Sequence, residues 1–217
     1  MFQRLFGADS KSKLVEAAFE DVSIMFRQSA KMLDLSLSAL LDNEELQVDL
    51  NHMDDVVDEG ERMVRRTILQ HLSVNPRQDL VASLILASTV QDAERIGDFA
   101  RGLGELIGLA GSPREGRFAD ELRALTDRLQ PMFEVCERAF REDDIEEARQ
   151  VVATHSELKQ AFVDYTAQVA KSDLSADMAI VYSNAARILR RISAHLSNIA
   201  STVVQPYDRI RHGDEDV

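Results

Sequence analysis

The chain has 217 residues, 29% of them charged and 45% apolar, which is enough apolar material for a core and excludes a disordered polymer. Its net charge of −13 argues against nucleic acid as the main partner, because binding phosphates needs a basic face. The charge suits solubility, cation binding or docking on a basic protein surface.

One cysteine, Cys136, excludes an internal disulfide and fits a reducing compartment, so a cytoplasmic location is expected, with a peripheral position at the inner face of the membrane as an option. The start, Met1 to Gly7, turns polar too soon for a signal peptide. The longest apolar run, Val81 to Val90, contains two serines and a threonine and falls far short of the roughly 20 residues of a membrane span.

Residues 1–9 form a short apolar and basic lead, in which Phe2, Leu5 and Phe6 could cap the core or touch a membrane surface. Apolar residues at helical spacing predict a first helix from about Ser10 to Leu41, including Leu14, Val22, Met25, Met32 and Leu33. Asp42-Asn43 reads as a break, with Asn43 as N-cap of a second helix running to about His71. Ser73 to Pro76 ends it, and Pro76 suits the start of a third helix, over about 78–110. Gly111 to Gly116 is the clearest interior break. A fourth helix follows over 118–140, a fifth over 145–170 and a sixth over 176–204, which Pro206 ends. The fold class is therefore all-α, six long helices in two tandem sets of three. The expected divisions are 1–111, 112–205 and an acidic tail, 206–217.

An internal repeat supports this division. Glu94-Arg95-Ile96-Gly97-Asp98 on the third helix is matched, 96 residues later, by Arg190-Arg191-Ile192-Ser193-Ala194 on the sixth. The first of these stretches is costly. Two carboxylates four residues apart repel on one helix face, and the intervening glycine costs about 1 kcal/mol relative to alanine. A bound cation or a close helix contact would offset those costs.

The second helix carries Asp54, Asp55 and Asp58. With a short hairpin centred at 74–75, these come level with Glu94 and Asp98 to within about a turn. Asp54, Asp55, Asp58, Glu94 and Asp98 are thus candidate metal ligands, oxygen donors suited to magnesium, manganese or iron and less selectively to zinc. Asp49, His52, Gln91 and Asp92 are lesser candidates. The competing reading is a solvated ion-pair face, with Asp58–Arg62, Glu61–Arg65 and Asp98–Arg101 pairs. No Walker loop or dinucleotide fingerprint is present, and Cys136 has acidic neighbours and no adjacent histidine, so an activated nucleophile is not expected. A metal-dependent hydrolase would need an open coordination position that sequence does not reveal. His195 reads as a packing or hydrogen-bonding residue.

The run Asp92 to Ala100 resembles the signature of PhoU-like phosphate-regulatory proteins, with Asp54-Asp55-Val56-Val57-Asp58 in the place of the acidic motif on the preceding helix. The resemblance implies two three-helix repeats and a carboxylate-bound metal cluster, iron or zinc, in each. It also implies a non-enzymatic accessory of phosphate uptake and signalling that works through a transporter or sensor kinase. A homodimer and a metal-free module serving another transporter are the alternatives in assembly and role. The second repeat departs from the pattern. Arg190 and Ala194 stand at the acidic positions and Ser193 at the glycine, while His195, Asn198, Ile199 and Ala200 still fit. Its upstream helix offers only Glu157 and Asp164, with Lys159 between them. The second site is expected to bind no metal, and Arg187, Arg190 and Arg191 to form a basic patch that pairs internally or meets an acidic partner.

Overall fold

A computed structural model describes residues 13–210. The expectations for Phe2, Leu5, Phe6 and the end of the acidic tail lie outside these residues, as does the side chain of Leu14.

The helical periodicity is realised throughout. Helix α1 spans Lys13–Leu41, α2 Leu50–Val74 and α3 Leu80–Glu105, extended by a 3-10 turn over Leu106–Leu109. The second set comprises α4, Arg117–Leu129, α5, Pro131–Glu142, α6, Ile145–Val169, and α7, Ala176–Val204. Helices α4 and α5 together form the fourth of six helical rods. Gln130 keeps helical angles between them, but Pro131 has no N–H to donate to the preceding turn, so the ladder is interrupted there. Among the described residues there are no strands.

Within each set the rods pack on one another. In the first, α1 lies against both α2 and α3; in the second, α7 packs on α6, α5 and α4. Helices α3 and α7 then pack on each other and join the sets. The buried apolar side chains form one connected cluster, from Val22 and Met25 on α1 through Ile96 on α3 to Leu189 and Leu196 on α7.

Two local expectations are corrected. Asn43 does not cap α2; it takes a left-handed conformation, φ 59°, that ends α1, with the Glu44 N–H returning to the Ser38 carbonyl at 3.3 Å. Asp49 is the cap instead, its carboxylate accepting from the Asn51 and His52 amides at 2.9 and 3.4 Å. Pro76 opens no helix: the turn runs from Asn75 to Asp79, and buried His71 holds it through the Gln78 carbonyl at 3.0 Å.

The linker between the sets has an anchoring role that its glycines do not reveal. Arg114 donates to the Leu40 and Ala39 carbonyls at 2.6 and 2.8 Å, and Arg123 on α4 donates to the Leu41 carbonyl at 2.9 Å. One arginine from the linker and one from α4 thereby satisfy the orphan carbonyls at the C-terminus of α1. Among the described residues, no helix is long and apolar enough to cross a membrane.

Candidate functional site

The α2–α3 hairpin sets the register of the acidic residues. Its turn is centred near residue 77 rather than 74–75, which slides α3 along α2 by about five residues from the expected pairing, or roughly one and a third turns. Asp54 therefore comes level with Gly97 and Arg101. A Cβ on Gly97 would sit 3.2 Å from both Asp54 Oδ1 and Val57 Cγ1, so this glycine permits the close approach of the two helices.

Four of the five candidates gather here. Asp54, Asp58, Glu94 and Asp98 act on one another electrostatically, and Glu61, half-buried on α2, joins them. Burial, followed by the charge of Asp98, pushes the Glu94 carboxyl up to about 7; Arg95 opposes this, and Glu61 and Asp58 add to it. Burial also raises Asp54, in spite of its bond from Arg101 and with help from Asp98 and Asp58. Asp55 is not part of the group. One residue on from Asp54 it points about 100° around the helix, and it lines a groove between α1 and α2 with His52 and Glu59.

The counter-charge present is arginine. Arg101 Nε lies 2.7 Å from Asp54 Oδ2, and its terminal nitrogens reach Asp98 at 3.4 Å and Glu105 at 2.6 Å. Arg95 pairs with Asp98 at 3.0 Å, and Arg62 lies 3.5 Å from Asp58. Among the described residues, no three His, Cys, Asp or Glu side chains converge as a metal ion would require. In this arrangement the residues do not fit a resident metal: the oxygens are of the right chemical kind, but the guanidinium of Arg101 occupies the space between two of them.

The lesser candidates fall elsewhere. Asp49 is committed to its cap, His52 is exposed on the α1–α2 groove, and Gln91 is exposed. Asp92 is buried and faces the other repeat. It accepts from His195 Nδ1 at 2.8 Å and Asn198 Nδ2 at 3.2 Å, and since a carboxylate only accepts, Nδ1 carries the proton. Cys136 is buried against the Leu196 carbonyl, and burial pushes its thiol up, away from the thiolate a nucleophile requires.

The second repeat presents the equivalent place with different charges. Ser193, 96 residues after Gly97, bonds His155 at 2.9 Å across the α6–α7 contact. The buried α2 positions Leu50, Val57 and Val64 correspond to buried Val151, Leu158 and Tyr165 on α6, a spacing of 101. On that spacing Asp54 and Asp58 become His155 and Lys159, while on the spacing of 96 Glu94 and Asp98 become Arg190 and Ala194. Burial, then Lys159 and Arg190, lower the His155 imidazole to about 4.

No curated protein matches this chain. In fold it is similar to the phosphate transport system regulatory protein PhoU of Streptococcus pneumoniae, with a TM-score of 0.79, 15% identity, and 92% of this chain and 95% of that one covered. PhoU of Pseudomonas aeruginosa gives a TM-score of 0.77 at 24% identity, with 88% and 95% covered. The sequence matches the PhoU domain family twice, over residues 22–107 and 122–203, one match on each three-rod set. With both sets matched in this way, the chain belongs to the PhoU family.

Proposed function

We propose that this protein is a non-catalytic regulator of phosphate transport that docks helical faces on a transporter or sensor-kinase component at the inner side of the membrane. The observation that carries this reading is the pair of PhoU domain matches spanning both helical sets. The side chains are consistent with it: the carboxylates are tied to arginines and the cysteine is buried. The test is affinity capture by the full chain, together with phosphate uptake in cells lacking it. The expected results are recovery of a phosphate-transporter or sensor component and altered uptake, restored by the wild-type chain. Unaltered uptake with no such component captured overturns the reading.

The carboxylate cluster of Asp54, Asp58, Glu94 and Asp98 belongs to this proposal as a cation-responsive element. Arg101 and a divalent or iron-type cation are alternative counter-ions for the same oxygens, so a cation binds only as Arg101 withdraws. Ser29 Oγ, buried beside Gly97 with no hydrogen-bond partner among the described residues, is one further oxygen at that place. Metal content of the purified protein is the check. Equal content in wild type and Asp58→Ala/Glu94→Ala removes the cluster from the proposal, and no metal in either leaves a metal-free docking module.

A further inference from the structure

The cationic counterpart of the acidic cluster lies at one end of a cleft of about 450 Å³ between α6 and α7. Phe162 and Val163 give the cleft an apolar side, Thr166, Ser183 and Asn184 line it with polar groups, and Arg187 and Arg190 stand over it. Lys159 is close enough to act on His155 together with Arg190. In a chain of net charge −13, Arg187, Arg190 and Lys159 form no ion pair with any described residue. The corresponding stretch of the first repeat differs: there Glu61 and Arg65 pair across the α2 surface at 2.8 Å.

Three unpaired cations in one neighbourhood repel one another, and an anion among them turns that cost into attraction. Two guanidiniums offer forked donors that match the oxygens of a phosphate, and an ammonium adds a third point of charge. The apolar side of the cleft has no role toward a bare ion, but it would shelter the body of an ester. We propose that the α6–α7 cleft binds a dianionic oxyanion, the phosphate group of a small monoester with an apolar body. The inference rests on these side chains alone and is independent of the regulatory reading above.

The test is titration calorimetry on the full chain with hexyl phosphate and with inorganic phosphate, at low salt and again at 0.3 M sodium chloride. Hexyl phosphate is expected to bind saturably, at least tenfold more tightly than inorganic phosphate, and to weaken with salt. Arg190→Gln/Lys159→Gln is expected to weaken it at least tenfold. Arg66→Gln removes an exposed arginine of the first repeat and is expected to leave binding unchanged. Equal affinity for the two probes assigns the site to free phosphate and upholds the oxyanion. Absence of saturable binding overturns the proposal. So does unchanged binding in the double variant, or equal weakening in Arg66→Gln. A melting temperature within about two degrees of wild type shows that the double variant is folded.

Discussion

At Glu94, burial and three neighbouring carboxylates outweigh the one arginine beside it, and the carboxyl is pushed up to about 7. The consequence for stability has a definite sign. Between about pH 4.5 and 7 the folded chain holds a proton on Glu94 that the unfolded chain has released, so stability falls as pH rises through that window. With solvent screening of this partly exposed group taken into account, full ionisation costs on the order of 2 kcal/mol. Asp54, raised in the same direction, adds to the fall at the lower end. Glu94→Gln keeps the shape and removes the titration. The variant is expected to be more stable than wild type at pH 8 by about 2 kcal/mol and nearly equal at pH 4.5. Urea midpoints at the two values measure this; the same difference at both would show that Glu94 does not titrate in the window. The sequence reveals the repulsion, since Glu94 and Asp98 are four apart on one helix. It does not reveal Glu61 as a neighbour or Arg101 as the counter-charge of Asp54, because both depend on where α3 lies along α2.

That register belongs to the element scale, where the hairpin shows how much sequence periodicity settles. Apolar spacing locates every rod, and the rod over 176–204 agrees at both ends. It does not locate the turn, because Asn75 to Asp79 contains a proline with an ambiguous role and an aspartate in the left-handed region. A turn displaced by two or three residues moves each cross-helix pair by about twice as many. Gly97 sits where the slide matters. Alanine is favoured over glycine in a helix by about 1 kcal/mol. At Gly97, however, a Cβ meets Val57, which is fully buried, and Asp54, which Arg101 holds. Neither gives way without loss, so Gly97→Ala is expected to destabilise the protein by about 1 kcal/mol net. Gly102, five residues along the same helix, has no neighbour within 4 Å of such a Cβ, and Gly102→Ala is expected to stabilise by about 0.5–1 kcal/mol. Denaturant unfolding of both variants distinguishes propensity from packing; a gain at both positions would remove close approach as the reason for Gly97.

At the scale of the whole molecule, the α3–α7 seam couples two sets that sequence analysis reads as separate repeats. Asp92 is buried and accepts from His195 and Asn198, residues more than 100 positions away, and Arg191 stands 5.9 Å over the Phe99 ring beside the same contact. Periodicity cannot show such a pairing: it marks Asp92 only as one more acid near Glu94, and His195 only as part of a pattern within its own repeat. Removing Asp92 takes the acceptor from the half-buried His195 and Asn198, and removing His195 takes one donor from a buried carboxylate, which costs more than the interaction itself contributes. Asp92→Ala is therefore expected to destabilise the chain by about 3 kcal/mol, and His195→Leu by somewhat less, since the imidazole keeps some exposure. Asp92→Leu/His195→Leu replaces the polar contact with an apolar one and is expected to recover a large part of the loss. A double-mutant cycle of Asp92→Leu, His195→Leu and the double variant should give a coupling of at least about 1 kcal/mol. Because the apolar core is continuous across the seam, each variant should also unfold in a single transition. Additive losses, or two separate transitions in the wild type, would show that the sets merely adjoin and that this pair does not lock them together.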